Sequence, residues 1–303
     1  MTHKNKVLLT GANGFLGQYI YKELSETHSI KTLGRANSTY NIDLKLQGFS
    51  FDNQYFDLVI HAAGKAHSVP KTADEKQDFY DVNVKGTENL LKALDRLPAL
   101  PKAFVFISSV AVYGLDCGNS VDEKSRLAAT DPYGQSKIKA EDVIINWCEQ
   151  NNVCCSILRL PLLAGVNPPG NLRSMIKGIK TGFYFNIASG KARKSVVLAE
   201  DVAKIIPEVA TVGGTFNLTD GYNPSFQELA SLIAHQLNRP RPLNMPYFVA
   251  SLLGSIGDLT GNLFPLNTGT VRKMTKDLTF DDSQARRLLN WSPLRVIDRF
   301  RIQ

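Results

Sequence analysis

Thr10-Gly11-Ala12-Asn13-Gly14-Phe15-Leu16-Gly17 decides the reading of this chain. Before it, Lys6 to Leu9 is a short apolar run of β type, and after it Tyr19, Ile20 and Leu24 recur at helical spacing. The order is therefore strand, glycine turn, helix. In such a turn the first glycine permits positive φ, the second lets backbone approach a pyrophosphate, and the third lets the helix pack on the strand. Phosphate charge then rests on the helix N-terminus. Incidental glycines in a tight turn share the pattern, but the position between a strand and a helix at the chain start favours a dinucleotide site.

Outward from the turn, strand-like runs alternate with helical ones. Ser29 to Leu33, Tyr40 to Leu46, Asp57 to His61, Lys102 to Ser108 and Val153 to Leu160 read as strands. Phe79, Val82, Asn83, Gly86, Leu90 and Leu94 share one helical face, and Lys137 to Gln150 reads as another helix. Repeated β-α predicts an α/β fold with a Rossmann-type, doubly wound parallel sheet. Past Gly165 the pattern changes to loop chemistry at Asn167-Pro168-Pro169-Gly170-Asn171 and then to short apolar blocks. The expected organisation is a dinucleotide-binding domain over 1–165 and a smaller, mainly substrate-binding portion over 166–303. Residues 196–218 are expected to return to the first, with Thr215 to Leu218 as a late strand. A ligand belongs at the carboxyl ends of the strands, where the glycine turn lies.

Composition narrows the partners. Among 303 residues, 43% hydrophobic, Lys and Arg exceed Asp and Glu by 35 to 28. The formal charge of +7 favours anionic ligands, but the excess is dispersed, without the basic stripe of a nucleic-acid protein. Cys117, Cys148, Cys154 and Cys155 lack paired spacing and read as free thiols of a reducing cytoplasm. The five histidines show no metal-ligand spacing, so no metal site is expected. From Arg241 to Arg272 the only internal charge is Asp258, yet Ser, Gly, Thr and Asn interrupt the apolar run. No transmembrane segment is expected there. A short helix packed on a neighbouring element or subunit is, and it lacks the basic face of a membrane-surface helix.

The end of the second strand reads Leu33-Gly34-Arg35, with no carboxylate to hold a ribose and a guanidinium able to fork onto a 2′-phosphate. This favours NADP(H) over NAD, although a lone arginine is equally an ordinary solvated side chain. Asp43, beside Leu44, is placed to meet the adenine, or is a solvated turn carboxylate.

The chemistry centres on Ser108-Ser109-Val110-Ala111-Val112-Tyr113-Gly114 and Pro132-Tyr133-Gly134-Gln135-Ser136-Lys137. If Tyr133 opens a helix, Lys137 shares its face. A tyrosine acting near neutral pH must lose roughly three units from a pKa near 10, about 4 kcal/mol. A cation at about 4 Å supplies about that much at an effective dielectric near 20.

At this point the ordered motifs are similar to an extended short-chain dehydrogenase/reductase of the NAD-dependent epimerase/dehydratase family, which modifies nucleotide sugars. The likeness runs from Thr10-Gly11-x-x-Gly14-Phe15-x-Gly17 through His61-Ala62-Ala63-Gly64, Asn83-Val84-x-Gly86-Thr87, Ser109, Tyr133-x-x-x-Lys137 and Leu158-Arg159-x-Pro161. It closes at Phe280-Asp281 and Leu289-Asn290-Trp291-x-Pro293. The resemblance implies Tyr133 as general acid or base, Lys137 as its electrostatic partner and ribose ligand, Ser109 as the hydroxyl polarising the reacting oxygen, and Asn83 near the active site. It implies cofactor contacts at Gly11, Asn13, Gly14, Phe15, Leu16, Gly17, Arg35, Asp43, Leu44, Ala62, Ala63, Gly64, Tyr133, Lys137 and Pro161. On the substrate side it implies Lys65, His67, Ser109, Asn171, Arg193 and Lys194. The family often has an arginine where Lys194 stands, so phosphate binding there is shared between Arg193 and Lys194, with solvated loop charge as the competing reading.

A departure is informative. Where the family's 4,6-dehydratases follow the active hydroxyl with Asp-Glu, this chain has Val110-Ala111, which cannot transfer protons. Chemistry at one sugar carbon, C4, remains. The run His61 to His67 resembles reductase-like members that make nucleotide-linked N-acetylated deoxysugars for surface polysaccharides. That places 4-keto reduction slightly ahead of 4-epimerisation with tightly held NAD. A noncatalytic dinucleotide sensor or RNA-binding relative is the competing class, disfavoured because Ser109, Tyr133 and Lys137 are all present. Apolar helix faces and the resemblance together favour a homodimer.

Overall fold

The computed structural model describes residues 4–51, 54–66, 68–260 and 266–302. Seven parallel strands form the main sheet: β1 (Lys6–Thr10), β2 (Ser29–Gly34), β3 (Tyr40–Asn41), β4 (Leu58–His61), β5 (Ala103–Ser109), β7 (Cys154–Leu160) and β11 (Gly214–Asn217). Their spatial order is β11-β7-β5-β4-β1-β2-β3, so the winding reverses between β1 and β4. Three short parallel ladders lie outside it. They pair β6 (Gly118–Val121) with β13 (Leu278–Phe280), β8 (Leu162–Ala164) with β10 (Val196–Leu198), and β9 (Asn186–Ile187) with β12 (Asn244–Met245).

Central strands covered on both faces must be apolar on both, which is why β1, β4 and β5 read as continuous runs rather than alternations. Val7, Leu9, Leu58, Ile60 and Val105 face one layer, packed by Leu16, Ile20 and Leu24 of α1 (Phe15–Leu24) and by Val202, Ile206 and Val209 of α6 (Ala199–Val212). Leu8, Val59, Phe104 and Phe106 face the other. There they meet Leu90 and Leu94 of α3 (Gly86–Leu94) and Ile144 and Trp147 of α4 (Pro132–Asn151). A separate cluster joins α5 (Gly170–Thr181) to α7 (Phe226–Gln236) through Met175, Ile179, Leu229 and Ile233. The doubly wound parallel fold is as the sequence predicts.

Two local expectations are corrected. The third strand stops at Asn41 instead of running to Leu46, because Asp43 Oδ1 accepts from Lys45 N–H at 3.0 Å and turns the chain. The face from Phe79 to Leu94 does not belong to one regular helix. α2 (Ala73–Tyr80) passes into a π-helical turn, Asp81–Lys85, before α3 begins, and this leaves Val82 half-buried while Asn83 is buried. Among the described residues no helix is long and apolar enough to cross a membrane.

Candidate active site

The glycine turn is shaped by close backbone approach. Gly11 has φ +73°, and a Cβ there would stand 2.6 Å from Ala63 N. A Cβ on Gly17 would stand 2.0 Å from Gly11 O, so α1 can reach the turn only with glycine at that position. Gly14 is the N-cap of α1 and donates to Gly11 O at 2.9 Å, but no side chain caps the helix and its first turn carries no acid. Those bare N–H groups, flanked by exposed Asn13, fit the pyrophosphate of a dinucleotide. The neighbouring β2 end is stitched on, since Gly11 N–H donates to Leu33 O at 3.1 Å and Asn13 Nδ2 to Ala36 O at 2.7 Å. Arg35 lies between these two anchors, exposed. Leu44 is buried, its carbonyl held by Asn89 Nδ2 at 2.8 Å.

At the carboxyl end of β5, Ser109 caps a 3-10 turn over Val110–Tyr113, its hydroxyl accepting from Ala111 N–H at 3.2 Å. The same hydroxyl is near enough to the Tyr133 phenol to favour its ionised form. Tyr133 is the second residue of α4, whose start is fixed by Pro132 and by Asp131 accepting from Gly134 N–H. The Asn83 side chain gathers what surrounds them. Its Oδ1 accepts from Lys65 N–H at 2.7 Å, and its Nδ2 donates to Lys65 O at 3.0 Å and to Ser136 Oγ at 2.8 Å. Gly64 is pressed between Asn83 and the Lys137 ammonium.

Lys137 follows one turn further along α4. Its ammonium donates to Ile107 O at 2.8 Å and lies over the Phe106 ring at 4.4 Å. Burial pushes Lys137 down to about 8, opposed by the Glu141 carboxylate one turn along. Burial also raises the Tyr133 phenol above the ordinary tyrosine value, opposed by Ser109, with no contribution from Lys137.

Ser108, the neighbour of Ser109, belongs to a different system. It donates to Glu141, which pairs with buried Arg159 at 2.7 Å. Arg159 continues to Tyr113 Oη at 3.1 Å, and that hydroxyl donates to Asn217 Oδ1 at 2.8 Å. One ion pair thus fixes β5, β7, α4 and the turn after Ser109, and leaves Ser109 alone to face Tyr133. The sequence carried one signal for this network, Glu141 four residues beyond Lys137 on the same helical face.

His61 is a second buried fixture. Thr87 Oγ1 spends its hydrogen on Asn83 O at 2.7 Å, so it accepts from His61 Nε2–H at 2.9 Å. Thr10 Oγ1 accepts from Ala63 N–H at 3.1 Å and donates to His61 Nδ1 at 2.7 Å. The ring is neutral, held down to about 3 by burial and then by the Lys137 charge.

The remaining candidates sit further out. Lys65 gives its ammonium to Asp78 at 2.5 Å, and His67 lies outside the described residues. Pro161 joins β7 to β8, and Asn171 is exposed in the first turn of α5, a helix start without a side-chain cap or acid. Arg193 is tied to Asn223 O at 3.0 Å and to the Tyr222 ring. Lys194 is buried beside β13, facing the Asp116–Cys117 loop, and burial lowers it to about 8.

A doubly wound sheet, a glycine turn between β1 and α1, and Ser109 and Tyr133 at the adjoining strand end define the class: an extended short-chain dehydrogenase/reductase. The model of the NAD dependent epimerase/dehydratase family matches residues 7–218, and the chain belongs to that family. The chain is 28% identical to the N-acetyl-α-D-glucosaminyl-diphospho-ditrans,octacis-undecaprenol 4-epimerase of Escherichia coli O157:H7, over 91% of this chain and 87% of that protein. It is 24% identical to the UDP-glucose 4-epimerase of Vibrio cholerae, over 96% and 92%. The UDP-glucuronic acid 4-epimerase of Bacillus cereus, solved with NAD, shares the fold at a TM-score of 0.74 and 19% identity, over 97% of this chain and 95% of that one. Structural neighbours are known with NAD and with NADPH.

Proposed function

We propose that this chain inverts C4 of a diphosphate-linked sugar, with Tyr133 moving the proton of the 4-hydroxyl and Ser109 holding the reacting oxygen. The observation that carries this is the approach of Ser109, at the carboxyl end of β5, to the Tyr133 phenol, followed by Val110 and Ala111, which offer no second acid or base. When bound, a nicotinamide dinucleotide supplies the hydride acceptor and donor and a positive ring. Gly11, Asn13, Gly14 and Gly17 cradle its pyrophosphate, and Lys137 and Gly64 hold its nicotinamide end. Since Lys137 leaves the phenol above its ordinary value, loading of the site must bring the charge that makes Tyr133 a base. Asn83 positions the Lys65 loop and Ser136, and acts through them.

The unit after Gly165 takes the diphosphate. The bare start of α5 at Asn171 meets one phosphate and Lys194 another. The group on the far phosphate is a nucleoside, as the resemblance implies, or a polyprenol, as in the name of the Escherichia coli relative. The names of both curated relatives favour epimerisation over the reduction that the sequence places first. One observation keeps reduction as a second reading: Arg35, exposed beside the glycine turn, suits the 2′-phosphate of NADPH.

Release of nucleotide from the purified protein decides between them. Stoichiometric retained NAD with interconversion of C4 epimers supports epimerisation. An empty site that consumes added NADPH with a 4-keto sugar diphosphate supports reduction. Full turnover in Tyr133→Phe overturns both.

A further inference from the structure

Among the described residues, helix α8 (Tyr247–Thr260) is packed on one side only. Ala250, Gly254 and Gly257 are buried, with Gly254 close enough to Asn267 and Thr268 that an added Cβ would crowd their backbone. On the opposite side Phe248, Leu252, Ile256 and Leu259 recur every three or four residues, and Phe248 is 73%, Leu252 64% and Leu259 88% exposed. The stripe is extended at its N-terminal end. Leu243 is exposed just before β12, and its carbonyl accepts from Asn186 N–H at 2.9 Å; Phe183, three residues before Asn186, is 84% exposed. Isolated exposed apolar residues need no explanation, but a contiguous ridge of this kind marks a contact surface.

The chemistry around the ridge selects its occupant. The segments 151–199 and 229–257, which supply α5, α7 beyond Glu228, the β9–β12 ladder and α8 as far as Gly257, contain no Asp or Glu. Lys177 and Lys180 on α5, and Arg239 and Arg241 leading into β12, are exposed. α8 itself has no cation, which is why the sequence read alone gives it no basic face; Arg239 and Arg241 come shortly before it in the chain, on the segment that leads through β12. An apolar ridge preceded by basic segments, on a helix whose single acid, Asp258, is turned to accept from Thr268 N–H and Oγ1–H, fits the surface of an anionic bilayer, with α8 lying in the interface. α5 starts at the proposed diphosphate anchor, Asn171, and ends near Phe183, twelve residues later, roughly 18 Å.

We propose that the α8 ridge docks on an anionic lipid bilayer and holds the site toward a sugar diphosphate carried on a membrane-embedded polyprenol. The choice of carrier rests on the sugar-diphosphate reading above; the docking itself does not.

The test is flotation of the full chain with vesicles of phosphatidylcholine alone and of phosphatidylcholine with phosphatidylglycerol, beside light scattering without lipid. The protein floats with the anionic vesicles. The triple substitution Phe248→Glu, Leu252→Glu, Leu259→Glu lowers the floated fraction roughly tenfold, and Arg239→Ala with Arg241→Ala, or 0.5 M salt, lowers it about threefold. An unchanged melting temperature of the arginine variant separates lost docking from lost folding. Turnover of polyprenyl diphosphate N-acetylhexosamine in those vesicles falls with the floated fraction, while turnover of a water-soluble sugar diphosphate does not. Wild type that stays in the aqueous fraction with every vesicle overturns the proposal. So does a wild-type dimer that becomes monomeric in the glutamate variant without lipid binding, which assigns the ridge to a second copy of the chain. Flotation without turnover of any sugar diphosphate leaves docking intact and overturns the catalytic reading instead.

Discussion

The two halves of the candidate site are built in opposite ways. Beneath Ser109 and Tyr133 every charged group is buried and spoken for, as in Ser108–Glu141–Arg159–Tyr113–Asn217 and in the chain of hydroxyls around His61. On the proposed diphosphate side Asn171 is exposed, and the Lys194 ammonium lies over the Phe226 ring at 5.9 Å with no side-chain hydrogen bond among the described residues. The first half is rigid because each polar group there is costly to leave unpaired, whereas the second has donors to spare for an anion. Reaction geometry and ligand choice therefore reside in different parts of the chain.

Substitutions should separate the two. Tyr133→Phe removes the transferable proton and should cut turnover by about 10³-fold with the circular dichroism spectrum and melting temperature retained. Retained turnover would remove the tyrosine from the mechanism. Arg159→Met leaves the buried Glu141 charge unpaired and should cost about 3–5 kcal/mol in urea denaturation; replacing both, as Arg159→Met with Glu141→Leu, should recover much of it. A mild single variant would mean the network is dispensable.

Acid probes the same half through His61. Its folded pKa of about 3 lies below the ordinary 6.5, so between these values only the unfolded chain binds the proton and stability falls as pH falls. Between pH 6.5 and 4 the loss should be roughly 3 kcal/mol, and the slope should drop by one proton in His61→Gln. Equal slopes would mean that the ring is not held neutral. The smallest effect belongs to the other half. Lys194→Met should weaken binding of a sugar diphosphate about tenfold at unchanged turnover. In the wild type that affinity should decline as pH rises past about 8, where the ammonium is lost. A pH-independent affinity would take Lys194 away from the phosphate.

The sequence showed the sheet, the glycine turn and the placing of Tyr133 and Lys137 on one helix because each depends on neighbours in the chain, through periodicity or close steric need. What it missed depends on distant partners. The Lys137 ammonium goes to Ile107 O and Lys65 to Asp78, and no spacing in either segment announces that. Arg159 was visible as a motif residue, but its meeting with Glu141 needs β7 laid against α4. The early end of β3 was within reach, since Asp43 followed two residues later by Lys45 is an Asx turn in waiting.

The π-helical turn at Asp81–Lys85 is equivalent to one amino acid inserted into an otherwise α-helical rod. Deleting a single residue there would let the rod close into a regular helix. It would also rotate everything on its N-terminal side, Asp78 and Phe79 included, by about 100° relative to Gly86 and α3. Lys65 would lose its anchor and the Phe79 ring would swing away from Tyr133, which it now meets at 6.1 Å between centroids. A gene library of one-codon deletions should therefore show a sharp dip in function across this helical stretch and little at the tip of the Gln47–Gly48 loop.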